Sequence, residues 1–257
     1  VNRVAAERYG TIRRLHIYRN PAMRTLRHAL APLLLVISLG AQALQGYLAE
    51  YDLTVRGVGA GRVRHEAIFT ERGYRFETIG SPSLAAKMLG FGEIREKAEG
   101  KIAGDRVIPT YYRRDMQGND NQHISYDYAN AVNGEIQAIV GAQNKTLRVN
   151  PNDPALDILA LVVQSLLDVE RGHIGEHNYT LINEDRVRSY QVSQLPDETW
   201  QDNKSGRALK IKVFLQTSGN RQTKIYFAEE PLRLVKLQQL KDGESRFSLK
   251  LLNYKSL

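Results

Sequence analysis

The sequence predicts a mainly β protein, in which a curved antiparallel sheet or open barrel wraps around one central α-helix, residues 154–171. Three observations predict this class. Turn residues recur at short intervals along 44–257, several segments alternate apolar and polar residues, and one helical pattern is apolar over far more than one face. With no internal repeat and no low-complexity linker, 44–257 is expected to form a single β-rich domain.

The first 43 residues have the order of a leader followed by a secretory signal peptide. Arg24 and Arg27 follow Met23, residues 29–39 are mostly apolar, and Ala41-Gln42-Ala43 supplies the small residues of a cleavage site. A membrane-spanning helix needs about 20 apolar residues, which is more than this run offers. We expect cleavage after Ala43 and export to the periplasm. The alternatives are an uncleaved N-terminal anchor and a buried core helix.

Residues 1–22 form a polar stretch that signal peptides rarely carry. Either translation starts at Met23, or the leader is real and has another purpose. The charge of the chain is concentrated in the same region. The formal net charge is +8, yet 44–257 holds 29 basic and 27 acidic residues. The predicted mature chain therefore gives little electrostatic reason to bind nucleic acid.

The segment "GRVRHEAIFT" shows the clearest strand pattern. Val63, His65 and Ala67 fall on one face, while Arg62 and Arg64 fall on the other. This alternation predicts a sheet with one wet face and places His65 among core or rim residues. The glycines that precede it, in "RGVGAGRVR", join two strands and predict a hairpin turn. They do not open a helix, as a phosphate-binding loop requires.

Two segments interrupt the strands with helical patterns. In "SPSLAAKMLG", Ser81 would cap a short helix, Pro82 would take its first position and Gly90 would end it. In "DPALDILALVVQSLLDVERG", Asp153 is the expected N-cap and Gly172 the expected C-terminal glycine.

The long helix carries an apolar arc about twice as wide as a helix on a flat sheet needs, which is roughly 100°. Its polar residues share one narrow stripe, in which Gln164 and Asp168 lie. Burying each large apolar side chain stabilises a protein by about 1.5–3 kcal/mol, so we expect the arc to be sheltered from several sides. A curved sheet would shelter it; a helix shared with a partner subunit is the rival explanation.

Five residues are the candidate ligand-binding set. Leu159, Val163 and Leu166 lie on the apolar arc, and Tyr126 and Tyr128 share one face of a strand. The tyrosines could line a groove or rim, or simply pack across strands.

The sequence offers little that predicts catalysis or a metal site. "HIGEH" spaces His173 and His177 four residues apart, but Gly172 and Gly175 argue against the helix that metal binding would need. No G-x-S-x-G nucleophile motif is present, and no carboxylates are marked as a catalytic pair. We therefore expect a polar loop at 172–177, no cofactor and no enzyme activity.

The order of several soft motifs resembles the bacterial exported family called domain of unknown function 3108, over about 48–255. These motifs are, in chain order, "ERGYRFE", "EKAEGKIAGDRVIPTYYRRD", "NPNDPALDILALVVQSLLDVERG", "YTLINEDRVRSYQV" and "KIYFAEEPLRLVKLQQLKDGESRFSLKL". Many members have a serine near Ile158-Leu159-Ala160, where this chain has none. The resemblance implies an exported all-β protein with one central helix and no known reaction. Its shape is similar to that of the periplasmic lipoprotein carriers.

These observations together predict a non-catalytic cell-envelope protein that binds an apolar or amphipathic ligand, such as a lipid, between helix and sheet. The alternative from another class is a structural or protein-interaction module of the periplasm, possessing a filled core and no ligand. A hydrolase acting on envelope glycans or lipids is the third hypothesis. An envelope protein is a further candidate partner, and no stable membrane span is expected after signal cleavage.

Overall fold

A computed structural model of the protein describes residues 44–118, 121–173, 175–202 and 206–257. The predicted leader and signal peptide, 1–43, lie outside these residues. The described chain contains fourteen strands and two α-helices. The strands are β1 (Tyr47–Val55), β2 (Val58–Thr70), β3 (Gly73–Pro82), β4 (Phe91–Ala103), β5 (Arg106–Gly118), β6 (Gln122–Asp127), β7 (Glu135–Val140), β8 (Gln143–Arg148), β9 (His177–Asn183), β10 (Arg186–Gln201), β11 (Ala208–Ser218), β12 (Arg221–Ala228), β13 (Arg233–Lys241) and β14 (Glu244–Ser256). The helices are α1 (Leu84–Met88) and α2 (Ile158–Glu170).

All fourteen strands form one antiparallel sheet in the order β8-β7-β6-β5-β4-β3-β2-β1-β14-β13-β12-β11-β10-β9. Consecutive strands pair from β1 to β8 and again from β9 to β14, and the first and last strands, β1 and β14, pair in the middle of the sheet. Tight turns make this meander possible. Gly104, Gly219 and Gly243 have φ values of +62°, +57° and +81°, which glycine adopts without steric cost. The predicted mainly β, antiparallel class is confirmed.

The sheet is not closed, and its two edges are β8 and β9. An ion pair joins the two ends of the sheet. Lys145 Nζ on β8 lies 2.5 Å from Asp185 Oδ2, in the turn that follows β9. The turn is also held by Tyr126, whose hydroxyl donates to the Glu184 carbonyl at 3.0 Å.

Strand β2 has the predicted alternation. Val63, His65 and Ala67 are buried, whereas Arg62 and Arg64 are exposed. The sheet therefore has one wet and one covered face here, as the sequence predicts. His65 is confirmed as a core residue, because its ring packs against Tyr51 and Phe76, with ring centroids 4.7 and 5.3 Å away. Burial lowers the pKa of His65 to about 4.

The predicted turn at the glycine-rich stretch is confirmed, since Arg56 and Gly57 connect β1 to β2. The short helix is also present, but its expected start is wrong. Ser81 and Pro82 belong to β3, because they pair with Arg62 and Gly61 of β2. The cap is Ser83, whose hydroxyl oxygen accepts from the Ala86 N–H at 3.3 Å.

Helix α2 likewise starts later than the predicted 154–171. Leu156 forms a parallel bridge with Leu181 of β9: its N–H donates to the Thr180 carbonyl, and its carbonyl accepts from the Ile182 N–H, both at 2.8 Å. This pairing keeps the preceding segment extended, so the N-cap is Asp157 and not Asp153. The predicted C-terminal glycine is confirmed, because Gly172 follows the Arg171 C-cap with φ +65°.

Most apolar residues of α2 are buried, while Ile158 at its start is 47% exposed. Leu159, Val163 and Leu167 belong to the main hydrophobic core, and the helix contacts β4, β5 and β9. The polar stripe is buried too, since Gln164 and Asp168 both lie away from solvent. Neither of the two described helices is long and apolar enough to cross a membrane.

Candidate functional site

A cavity of about 220 Å³ lies between α2 and the sheet. Four parts of the chain contribute to its wall: the β4–β5 turn, the segment before α2, the C-terminal half of α2, and the start of β9. The wall is mostly polar, and its charged and imidazole groups are Asp105, Arg106, Asp153, Asp168, His173 and His177. Val107, Pro154 and Leu156 supply its apolar part.

Gln164 fixes the helix to the β4–β5 turn. Its side-chain amide Nε2 donates to the Asp105 carbonyl at 2.9 Å, and its Oε1 accepts from the Val107 N–H at 2.8 Å. This pair of bonds satisfies two backbone groups at the turn, which explains why an amide is buried on an otherwise apolar helix.

Asp168 lies one helical turn further on. It accepts hydrogen bonds from Gln164 Nε2, at 2.8 Å, and from the Tyr179 hydroxyl of β9. Burial raises the pKa of Asp168, while the bonds from Tyr179 and Gln164 oppose that rise. The Tyr179 pKa is raised by burial and by the nearby carboxylate, so the hydroxyl stays a donor near neutral pH. The bonded side chains of Gln164, Asp168 and Tyr179 thereby join α2 to the edge strand β9.

The entry to α2 closes the other side of the cavity. Asp153 accepts from the Thr180 hydroxyl of β9 at 2.6 Å. Asp157 caps the helix: its Oδ1 accepts from the N–H groups of Leu159 and Ala160 at 3.0 and 2.8 Å, and its Oδ2 accepts from Tyr128 at 3.3 Å. Burial nevertheless raises the pKa of Asp157 to about 7, against the effect of these bonds.

A family described as protein of unknown function, DUF3108, matches residues 50–250. The chain belongs to the DUF3108 family. The match spans both helices and the cavity wall, and it confirms the resemblance inferred from the motif order. No curated protein matches the sequence.

In this DUF3108 chain the five predicted ligand-binding residues share one location. Leu159, Val163, Leu166, Tyr126 and Tyr128 all belong to the main hydrophobic core, and all are buried. None of the five contributes to the cavity wall. All five lie in the same core cluster and outside the cavity wall, so their role in binding stays a prediction.

The two predicted tyrosines pack and also donate hydrogen bonds. Tyr126 stacks on Tyr112, its cross-strand partner on β5, with ring centroids 5.2 Å apart. Tyr128 lies edge-on to Tyr126 and donates to Asp157. The cross-strand packing alternative therefore describes their geometry, with the phenol hydroxyls directed to the Glu184 carbonyl and the helix cap.

The "HIGEH" histidines flank the cavity. His173 follows the C-terminus of α2, with its N–H donating to the Asp168 carbonyl at 2.8 Å, and His177 opens β9. Residues 172, 173, 175 and 176 lie outside helices and strands, so the predicted loop is present in the described residues before β9, which begins at His177. Within 44–118, 121–173, 175–202 and 206–257, no group of three or more metal-binding side chains comes together.

Sequence reasoning missed most of the cavity wall. Asp105 and Arg106 are about 75 positions from Thr180 and carry no motif, so only the packing of α2 against β5 and β9 unites them. The buried polar stripe of α2 was the available signal, because Gln164 and Asp168 are expensive to bury without partners. A second polar group was also missed: His123 Nδ1 lies 2.8 Å from Asp115 Oδ1, beside a wider depression of about 900 Å³.

Proposed function

We propose that the protein is a non-catalytic, exported cell-envelope protein that binds an amphipathic ligand, such as a lipid, between α2 and the sheet. The observation that carries the proposal is the cavity at this junction, with a polar wall on one side and the main apolar core behind it. An amphipathic molecule needs both environments in adjacent positions. A concave site with a few convergent polar groups is where small molecules usually bind.

The size of the cavity suits the polar end of such a ligand. Ligand pockets generally measure about 300–1,000 Å³, so 220 Å³ holds a headgroup and not a whole lipid. In the proposed complex the apolar part lies along Leu159, Val163 and Leu166. It takes the place of contacts that α2 makes with the sheet in the ligand-free protein.

Buried polar atoms in the core favour an amphipathic ligand over a purely apolar one. The hydroxyls of Tyr47 and Tyr74, on β1 and β3, have no hydrogen-bond partner within the described chain, and the same holds for His65 Nδ1 and Thr78 Oγ1. Buried groups of this kind are normally paired, so a partner arriving with a ligand would stabilise them.

The proposal includes a curved sheet that encloses α2, in the manner of the periplasmic lipoprotein carriers. Two contacts support it. The Lys145–Asp185 ion pair draws the ends of the sheet together, and α2 contacts both β5 and the edge strand β9. Periplasmic localisation rests on the signal-peptide pattern of 1–43.

A non-catalytic role is proposed because the polar side chains of the site are committed to structural bonds. Asp153 is held by Thr180, Asp168 by Tyr179, and Gln164 by the β4–β5 turn. A general acid or base needs an atom free to exchange a proton with a substrate, and these bonds engage Asp153 Oδ2, both carboxylate oxygens of Asp168 and both polar side-chain atoms of Gln164.

Native mass spectrometry of protein purified gently from the periplasm of a Gram-negative host tests the proposal. We expect an adduct of lipid mass on the wild-type chain. Asn178→Trp should remove it, because Asn178 is an exposed residue of β9 at the cavity wall. Asn183→Trp is the matched control, since Asn183 is an exposed asparagine at the other end of β9 and does not line the cavity. Absence of an adduct on all three proteins contradicts the proposal.

A structural or protein-interaction module with a filled core is the second candidate. The observation in its favour is the burial of Leu159, Val163 and Leu166 within one continuous core cluster. Under this alternative the same experiment yields bare protein, and co-purifying envelope proteins take the place of a lipid adduct.

A further inference from the structure

An apolar ridge projects from one end of the sheet. It consists of Val58, Leu84, Met88, Leu89 and Phe91, whose side chains are between 65% and 82% exposed. Single exposed apolar residues are common on proteins, but five large ones around one short helix are a concentrated patch. The cavity lies elsewhere, at the opposite end of the sheet, so the ridge has no part in the proposed function.

The ridge is held in place by backbone hydrogen bonds. The Ser83 N–H donates to the Ala60 carbonyl at 2.8 Å, which fixes the start of α1 beside Val58 on β2. Leu84 and Met88 are four residues apart and share one face of α1, while Ala86 is its buried residue. The backbone hydrogen bonds and the buried Ala86 therefore hold α1 with these side chains facing outward.

The charges beside the ridge are positive. The loop and helix sequence 83–92, "SLAAKMLGFG", contains Lys87 and no acidic residue. Arg56 lies in the neighbouring β1–β2 turn, and its N–H donates to the Arg246 carbonyl, which brings a second arginine to this end of the sheet.

The nearest acidic residues in sequence are already paired with arginines. Glu93 lies 2.5 Å from Arg95, and Asp52 lies 4.0 Å from Arg62. Three cations, Arg56, Arg246 and Lys87, therefore lie at this end of the sheet, together with Glu244 at the start of β14.

We infer that the ridge is a docking site for the surface of an anionic lipid membrane. A projecting row of Leu, Met and Phe can enter the boundary between headgroups and acyl chains, and flanking cations attract anionic headgroups. The ridge residues line neither of the two cavities described above. The excess of cations at this end of the sheet complements an anionic lipid surface in particular.

The absence of cysteine from the chain allows a local test on the full-length protein. Met88→Cys is labelled with a polarity-sensitive fluorophore, and Val132→Cys is labelled in the same way as a control. Val132 is also exposed, but it lies in the β6–β7 connection, at the opposite end of the sheet. We expect a blue shift at position 88 with phosphatidylglycerol vesicles and little with phosphatidylcholine vesicles. Position 132 should not respond to either.

A matched charge substitution measures the contribution of the ridge to binding. Leu84→Glu and Val132→Glu introduce the same charge at side chains that are both 77% exposed. Leu84→Glu should lower the partition of the full chain onto phosphatidylglycerol vesicles about tenfold, and Val132→Glu should leave it unchanged.

Two outcomes overturn the inference. One is a label at position 88 that stays in water with both types of vesicle, which would leave the ridge to a protein partner. The other is equal loss of partition in the two glutamate variants. Because neither assay involves the cavity, the result is independent of whether a lipid adduct is found there.

Discussion

The buried carboxyl of Asp157 makes a quantitative prediction about stability and pH. Asp157 caps α2 and is completely buried, and burial raises its pKa to about 7. In an unfolded chain an aspartate titrates near pH 3.9. The folded protein therefore holds a proton on this group that the unfolded chain releases between these two values.

The sign follows from this difference. The stabilising contribution of the protonated carboxyl is fully present below about pH 4, is lost as the pH rises through about 4 to 7, and changes no further above that range. Each pH unit in this window lowers the free energy of unfolding by about 1.4 kcal/mol, which gives a total of about 4 kcal/mol for this group.

Asp157→Asn is the appropriate perturbation. The amide oxygen can still accept from the N–H groups of Leu159 and Ala160, but the group no longer titrates. Urea unfolding of both proteins at each pH from 4 to 8 gives the free energies of unfolding. We expect the wild type to lose about 4 kcal/mol relative to the variant across this range.

Asp185→Asn, with the titration extended below pH 4, serves as a control of opposite sign. The ion pair with Lys145 lowers the pKa of Asp185, so that contribution is present above the unfolded pKa and lost as the pH falls through the folded pKa. Parallel stability curves for wild type and Asp157→Asn would refute the reasoning, because they would mean that Asp157 is ionised in the folded protein.

Two further predictions concern packing and backbone geometry. Leu166→Ala should lower the free energy of unfolding by about 2–5 kcal/mol, because Leu166 is fully buried. Ile158 lies on the same helix with its side chain 47% exposed, so Ile158→Ala should lower the free energy of unfolding clearly less in the same urea titration. Gly73→Ala should destabilise the protein more than Gly104→Ala in thermal unfolding. Both glycines have positive φ, but a Cβ at Gly73 would lie 2.0 Å from the Gly100 carbonyl oxygen, whereas one at Gly104 meets nothing within 4 Å. Equal losses within either pair would contradict the explanation given for it.

Local patterns were enough to predict the class of fold and several of its turns and element ends. The alternation around His65 predicts a half-buried strand, and Gly172 predicts the helix end, because each depends on residues close in sequence. The starts of both helices were wrong for a shared reason. Ser81 and the segment before Ile158 could begin a helix, but pairing with distant strands holds them extended.

The cavity could not be predicted from the sequence because its wall is assembled by long-range pairing. Gln164 is unremarkable as a helix residue until the β4–β5 turn supplies Asp105 and Val107 as its partners. The width of the apolar arc correctly predicts that Leu159 and Val163 are sheltered, yet it gives no information about where empty space remains.

The pairing of β1 with β14 has a consequence for how the protein assembles. Every other ladder joins strands adjacent in sequence, so the sheet consists of an eight-stranded and a six-stranded meander that meet along this one seam. Each meander can form from short hairpins, while the seam must bring together residues about 200 positions apart, as in the pairing of Tyr47 with Ser256. Contacts between residues so far apart in sequence cost the most chain entropy before their interactions stabilise the structure. Docking of the two halves along β1 and β14 should accordingly be the late, slow event of folding, and partially folded chains would expose these two strands as unpaired edges.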